Sequence, residues 1–120
     1  MLPKELRLKK RVAFNATYKT GCSFHKNGIT VFCGRIKKDN YSLPTKIGFV
    51  VSKKIHKRAV KRNRIKRLMR ECVRLYIKNL EAFDTKYMSL IFVASSNLIY
   101  KNFTEIDYSI TKLMEIINND

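Results

Sequence analysis

The chain has 120 residues, 45% of them hydrophobic, with 26 lysines and arginines against nine aspartates and glutamates, a formal charge of +17. That length suits one domain with a modest core, and that hydrophobic share argues against a disordered polyelectrolyte. No apolar run approaches the roughly 20 residues that span a bilayer, and no apolar stretch follows the basic start MLPKELRLKKR as a signal peptide would require. A cytoplasmic protein without a membrane partner is expected.

The charge is unevenly placed. Ten basic and two acidic residues stand in 1–40, thirteen and one in 41–80, but three and six in 81–120. A polyanion is the natural partner of the first two thirds, with the last third as scaffold. Cys22, Cys33 and Cys72 are odd in number and lack CxxC spacing, which favours reduced thiols over a disulfide framework or a zinc site.

In chain order, residues 1–10 are basic and expected to be mobile. RVAFNATYK (11–19) carries helical spacing and meets a stop at Gly21. SFHKNGITVFCGRI reads as a hairpin turning at Asn27-Gly28, its second strand running from Ile29 to Ile36. KKDNYSLPT is a loop. KIGFVVS and MSLIFVAS are near-continuous apolar runs, the pattern of strands covered on both faces. The helix between them predicts a crossover joining two parallel strands. A last helix begins near Phe103, with Asn102 and Glu105 as a capping box and Phe103, Ile106, Ile110, Leu113 and Ile117 as its apolar stripe. The expected fold class is α+β, a small two-layer sandwich of roughly four strands with flanking N- and C-terminal helices, and residues 1–120 read as a single domain.

The crossover helix contains KRNRIKRLMR (61–70). At about 100° per residue, Ile65, Leu68, Met69, Cys72, Val73, Leu75, Tyr76 and Leu80 share one face, and Arg64, Lys66, Arg67, Arg70, Arg74 and Lys78 the other. Arg62, Lys66, Arg70, Arg74 and Lys78 form an i+4 ridge of like charge, each pair costing about 0.2–0.5 kcal/mol in an isolated helix. Glu71 is the only acid in the segment. A solubilising face rarely has one sign, so a phosphate backbone is the better partner: arginine forks match phosphate oxygens, and neutralising them releases counterions. Asn63 sits among the cations, placed to read a base edge, a ribose or a phosphate.

RAVKRNRIKRLMRE, directly after the strand IGFVVSKKI, resembles the bacterial ribonuclease P protein subunit. RLKKRVAFNATYKTG extends the likeness to the N-terminal third, and the fourth strand and last helix follow it more loosely. The resemblance implies an α+β sandwich with a left-handed βαβ crossover, where pattern alone would predict the right-handed form. It implies a ribonucleoprotein endonuclease, a hydrolase of tRNA processing: a catalytic RNA removes the 5′ leader of precursor tRNA, assisted by the protein.

Carried over by position, Arg62, Asn63, Arg64, Lys66, Arg67 and Arg70 would contact the catalytic RNA, with Arg74 extending that surface and Ser52, Lys53 and Lys54 beside it. Phe14, Tyr18 and Phe32 would line a cleft for the single-stranded leader, stacking bases without sequence demand. For Phe14 and Tyr18, core packing is the competing role. Mg²⁺ would serve the RNA, with no protein-only metal site, and the partners are ribonuclease P RNA and precursor tRNA, with no protein partner. Two departures stand out: Lys57 and Arg58 where many relatives have glycine and asparagine, and Ser95 and Ser96 where some carry a basic residue.

The chain itself is not expected to cut. A protein nuclease wants histidines or a histidine and an acid poised together, and nothing in the spacing pairs His25 with His56. Glu105, Asp107 and Glu115 read as solvated helix positions and a favourable N-terminal charge. The alternatives are a structural ribosomal-type RNA-binding protein without a role in cleavage, and a DNA-binding helix module.

Overall fold

The computed structural model describes residues 2–39, 41, 43–52, 54, 57–78 and 84–119. The N-terminal segment, for which charge predicts mobility, lies along the edge of the sheet. Leu2, Leu6 and Leu8 alternate with charged residues and are buried, a 3-10 turn spans Lys4–Leu6, and the Leu8 amide donates to the Ile47 carbonyl at 2.9 Å. Leucine burial outweighs solvation of the neighbouring lysines, whose ammonium ends stay in water.

Helix α1 (Arg11–Lys19) ends as the sequence predicts, with Gly21 at φ +73° just beyond it. Strands β1 (Cys22–Lys26) and β2 (Ile29–Cys33) pair antiparallel. Asn27 and Gly28 both have positive φ, +48° and +93°, the backbone of the two-residue turn that matches strand twist. The second strand is shorter than predicted. The regular strand stops at Cys33; beyond it the Gly34 amide donates to the Ser89 carbonyl and the Met88 amide to the Arg35 carbonyl, both at 2.8 Å, and Ile36 rejoins the sheet as a single bridge to Tyr87.

Strand β3 (Lys46–Val50), helix α2 (Ala59–Lys78) and strand β4 (Ser89–Ala94) make the expected crossover, with β3 and β4 parallel. The strand order is β1-β2-β4-β3. Pairing sorts the side chains into two faces. Ile29, Val31 and Cys33 align with Ala94, Phe92 and Leu90, and Leu90 and Phe92 with Ile47 and Phe49. These make the core face against α2 and α3 (Phe103–Asn119), where Ile65, Met69, Cys72, Val73, Ile106, Ile110, Leu113, Met114 and Ile117 are buried.

The capping box of α3 forms: the Glu105 amide donates to Asn102 Oδ1 at 2.9 Å, and the Asn102 amide to Glu105 Oε1 at 3.4 Å. Phe103 is not part of the buried stripe; it sits in the open first turn, and Met114 fills the core instead. The entrance to β4 is tied by Asp84, whose carboxylate pairs with Lys37 and accepts from the Thr45 amide at 3.3 Å and the Thr85 amide at 2.9 Å. Burial alone would raise its pKa, but those bonds hold it below the usual carboxylate value. None of the three cysteines is in a disulfide. Burial, reinforced by the nearby Asp107 carboxylate, pushes the Cys72 thiol up to about 12.

Candidate nucleic-acid interface

Helix α2 presents the two faces that its periodicity predicts. Ile65, Met69, Cys72 and Val73 are buried, while Lys61, Asn63 and Arg67 are exposed and Arg62, Arg64, Lys66 and Arg70 are half-exposed. Leu80 lies outside the described residues. Four residues of the ridge differ in what they offer a partner. The Arg62 guanidinium donates to the Lys57 carbonyl at 2.9 Å, closing the helix start across the Lys57-Arg58 segment. Arg74 forks onto Glu71, its Nε 3.1 Å from Oε2, and that bond holds the Glu71 carboxyl below its usual pKa. Arg74 therefore meets a phosphate only by sharing or breaking that exposed pair, which the solvent makes weak. Lys66 and Arg70 turn toward β3, and with them the basic face reaches the sheet.

The opposite face of the sheet from the core carries α1. Phe14 stands over Gly48, so close that a Cβ there would lie 2.7 Å from its Cζ. Thr17 Oγ1 meets Ser89 Oγ in a buried hydroxyl pair, and the Thr17 hydroxyl also bonds the Ala13 carbonyl at 2.8 Å. Tyr18 meets Phe32 edge to face, the centroids 5.0 Å apart at 76°. Tyr18 remains 38% exposed, and partial burial raises its hydroxyl pKa. Phe32 lies on this face because β2 alternates: Ile29, Val31 and Cys33 point to the core, Thr30 and Phe32 away. The three aromatics thus share one side of the sheet. Phe14 both packs and lines a groove, so neither role excludes the other.

That groove, about 320 Å³, runs between the N-terminal segment, β3 and α2, with Leu8, Phe14 and Phe49 as apolar wall and Arg7, Lys66 and Arg70 as cationic rim. It brings the cations of α2 and the ring of Phe14 into one surface. Arg7 and Lys9 were not singled out from sequence. The alternation of Leu2, Leu6 and Leu8 with charges was the available signal, because a strand-like edge places the intervening cations outward. A second hollow beside it is walled by Lys4, Arg7, Lys9, Lys10 and Lys46. Ser52 and Lys54 are exposed beyond the end of β3; Lys53 and His56 lie outside the described residues. His25 is exposed at the hairpin, its Nδ1 2.8 Å from Thr30 Oγ1.

Among the described residues, no group of three or more His, Cys, Asp or Glu stands close enough to hold a metal ion. What the surface does offer is positive charge beside exposed rings, the combination that binds single-stranded nucleic acid. No described helix is long and apolar enough to cross a membrane.

Residues 2–118 match the family model for ribonuclease P. A ribonuclease P protein component of Synechococcus is 31% identical over 115 residues, covering 96% of this chain and 84% of that protein. One from Clostridium kluyveri is 36% identical over 112 residues, covering 91% of each. The solved Staphylococcus aureus RNase P protein superposes with a TM-score of 0.75 at 26% identity, covering 95% of this chain and 98% of that one.

Proposed function

The chain belongs to the ribonuclease P protein family, the protein component of a ribonucleoprotein endoribonuclease, and from that premise we propose how its surfaces divide the work. The exposed and half-exposed cations of α2, with Asn63 among them, engage the phosphates of ribonuclease P RNA. The side of the sheet under α1 receives the unpaired 5′ leader of precursor tRNA, with bases against Phe14 and the Tyr18–Phe32 pair. Lys66 and Arg70 stand where the two surfaces meet. The observation that carries this division is their shared groove with Phe14: a leader base on the ring would bring its phosphate to those cations.

The chemistry of cleavage belongs to the RNA in this reading, and Mg²⁺ serves it there. The protein contributes charge and position. Neutralising phosphates releases counterions and lowers the electrostatic cost of bringing two RNAs together, and stacking of an unpaired base is worth about 1–3 kcal/mol. Binding of the leader discriminates precursor from mature tRNA, because only the precursor has one.

Reconstitution tests the proposal. The protein is mixed with a ribonuclease P RNA and precursor tRNA at low Mg²⁺, and leader removal is timed. Faster cleavage than RNA alone supports it. RNA binding with unchanged cleavage would instead point to a structural role of the ribosomal type.

A further inference from the structure

On the face that carries α1, strand pairing aligns side chains in rows across the sheet. Ser23, Phe32, Ile91 and Gly48 form one row. Phe14 and Tyr18 rest on it, and Thr17 reaches the neighbouring Ser89 beyond. The next row toward the hairpin turn is His25, Thr30, Val93 and Val50. None of these contacts from α1 falls on it. Thr30, Val93 and Val50 are half-exposed and His25 exposed, so this is an accessible strip of sheet in a chain of charge +17 whose middle has no cation.

The strip has the chemistry of a nucleobase site. Val50 and Val93 give an apolar floor as wide as two strands, about 5 Å between them. Thr30 and His25 supply hydrogen-bonding atoms at one edge. The imidazole is oriented by its 2.8 Å bond between Nδ1 and Thr30 Oγ1, leaving Nε2 as the ring's remaining polar atom. The row lies two residues along the strands from the Phe32 row, about 7 Å, the order of one extended nucleotide step.

We propose that this row is a further subsite for the unpaired leader, taking the base next to those on Phe14 and the Tyr18–Phe32 pair, with His25 and Thr30 reading its edge. The inference rests on the leader-cleft reading above and deepens it. A floor of two valines edged by a histidine and a threonine suits a base rather than a phosphate, so the subsite adds selectivity for base identity where the aromatic pair adds none.

The test uses the reconstituted holoenzyme and precursor tRNAs whose leaders lengthen one nucleotide at a time, with binding measured relative to mature tRNA. Wild type, His25→Ala, Thr30→Val and Phe14→Ala are compared; the His25 position is exposed and the Thr30 change preserves shape, so both fold. His25→Ala and Thr30→Val are expected to weaken binding about two- to tenfold, the loss of a hydrogen bond. That loss should appear only once the leader is at least one nucleotide longer than the length at which Phe14→Ala first acts, and it should vary with the base there. If Phe14→Ala weakens binding but neither other variant does at any length, the subsite is wrong and the leader cleft stands. If the His25 and Thr30 variants weaken mature tRNA or short leaders equally, they act elsewhere and the proposal falls. If Phe14→Ala has no effect at any length, the cleft reading fails with it.

Discussion

Gly48→Ala is the sharpest probe of the α1 platform. Gly48 sits mid-strand in β3, and a Cβ there would lie 2.7 Å from Phe14 Cζ, 2.8 Å from Cε1 and 3.4 Å from Leu8 Cβ. Ordinary carbon contacts are about 3.5–4.0 Å, so the ring must yield by about 1 Å. Helix α1 cannot simply lift, because the Thr17–Ser89 hydroxyl pair and the Tyr18–Phe32 contact hold its last turn; the ring tilts instead, toward the groove. Overpacking of this kind costs about 1–3 kcal/mol, partly offset by the 0.5–1 kcal/mol or so that alanine gains over glycine in a strand. A net loss of about 1–2 kcal/mol lowers Tm by about 4–8 °C for a domain of this size. Thermal unfolding measures it, and a double-mutant cycle isolates the cause. In a Phe14→Ala background the added methyl has room, and Gly48→Ala should become neutral or stabilising. Equal destabilisation in both backgrounds would refute the argument, because the strain would then lie in β3 rather than against the ring.

Four other outcomes follow from the geometry. Arg67→Ala, at an exposed position of α2, should weaken assembly with ribonuclease P RNA and reduce the slope of log affinity against log salt by about 1, whereas Arg74→Ala should do less because Glu71 already engages that guanidinium; a salt titration of both compares them. Asn102→Ala removes one half of the α3 capping box and should cost about 1 kcal/mol by chemical denaturation. Asp84→Asn should destabilise the fold by about 1 kcal/mol, a modest figure because the carboxylate is largely exposed. Its folded pKa is lowered, so the stabilisation is present above the unfolded carboxylate value and disappears as pH falls through the folded one; the gap between wild type and Asp84→Asn should close in acid. A thiol reagent at pH 8 should modify half-buried Cys22 first and reach Cys33 and Cys72 only on unfolding, and early reaction of Cys72 would contradict its burial.

How far these features are legible in the sequence depends on the length scale of the physics behind them. The turn at Asn27-Gly28, the end of α1 at Gly21 and the Asn102–Glu105 box are set within a few residues, and each lies where local chemistry places it. The two faces of α2 follow from a 3.6-residue period over twenty residues. Phe103 shows where periodicity gives out: it continues the stripe by spacing but stands exposed in the first turn of α3, an outcome that only tertiary placement decides. The N-terminal segment shows the same in reverse. Its charge density suggests solvation, yet Leu2, Leu6 and Leu8 find the edge of β3 and the flank of α2, a contact between residues about 40 to 70 positions apart.

The candidate site divides along the same line. That α2 is a cationic surface is a property of one helix, readable from its sequence. That Lys66 and Arg70 share a groove with Phe14 depends on the crossover bringing α2 beside β3 and on the N-terminal segment closing the third wall. This has an energetic consequence for the proposed division of labour. A residue that contacts only the catalytic RNA affects assembly and leaves the preference for precursor over mature tRNA unchanged. A residue at the junction affects both, because the same cation faces phosphates from two strands. Lys66→Ala should therefore lower both assembly and precursor preference, and its effect on precursor preference should be non-additive with Phe14→Ala. Arg67→Ala should affect assembly alone. Strict additivity of Lys66→Ala and Phe14→Ala in precursor affinity would separate the two surfaces and leave the groove as packing between them.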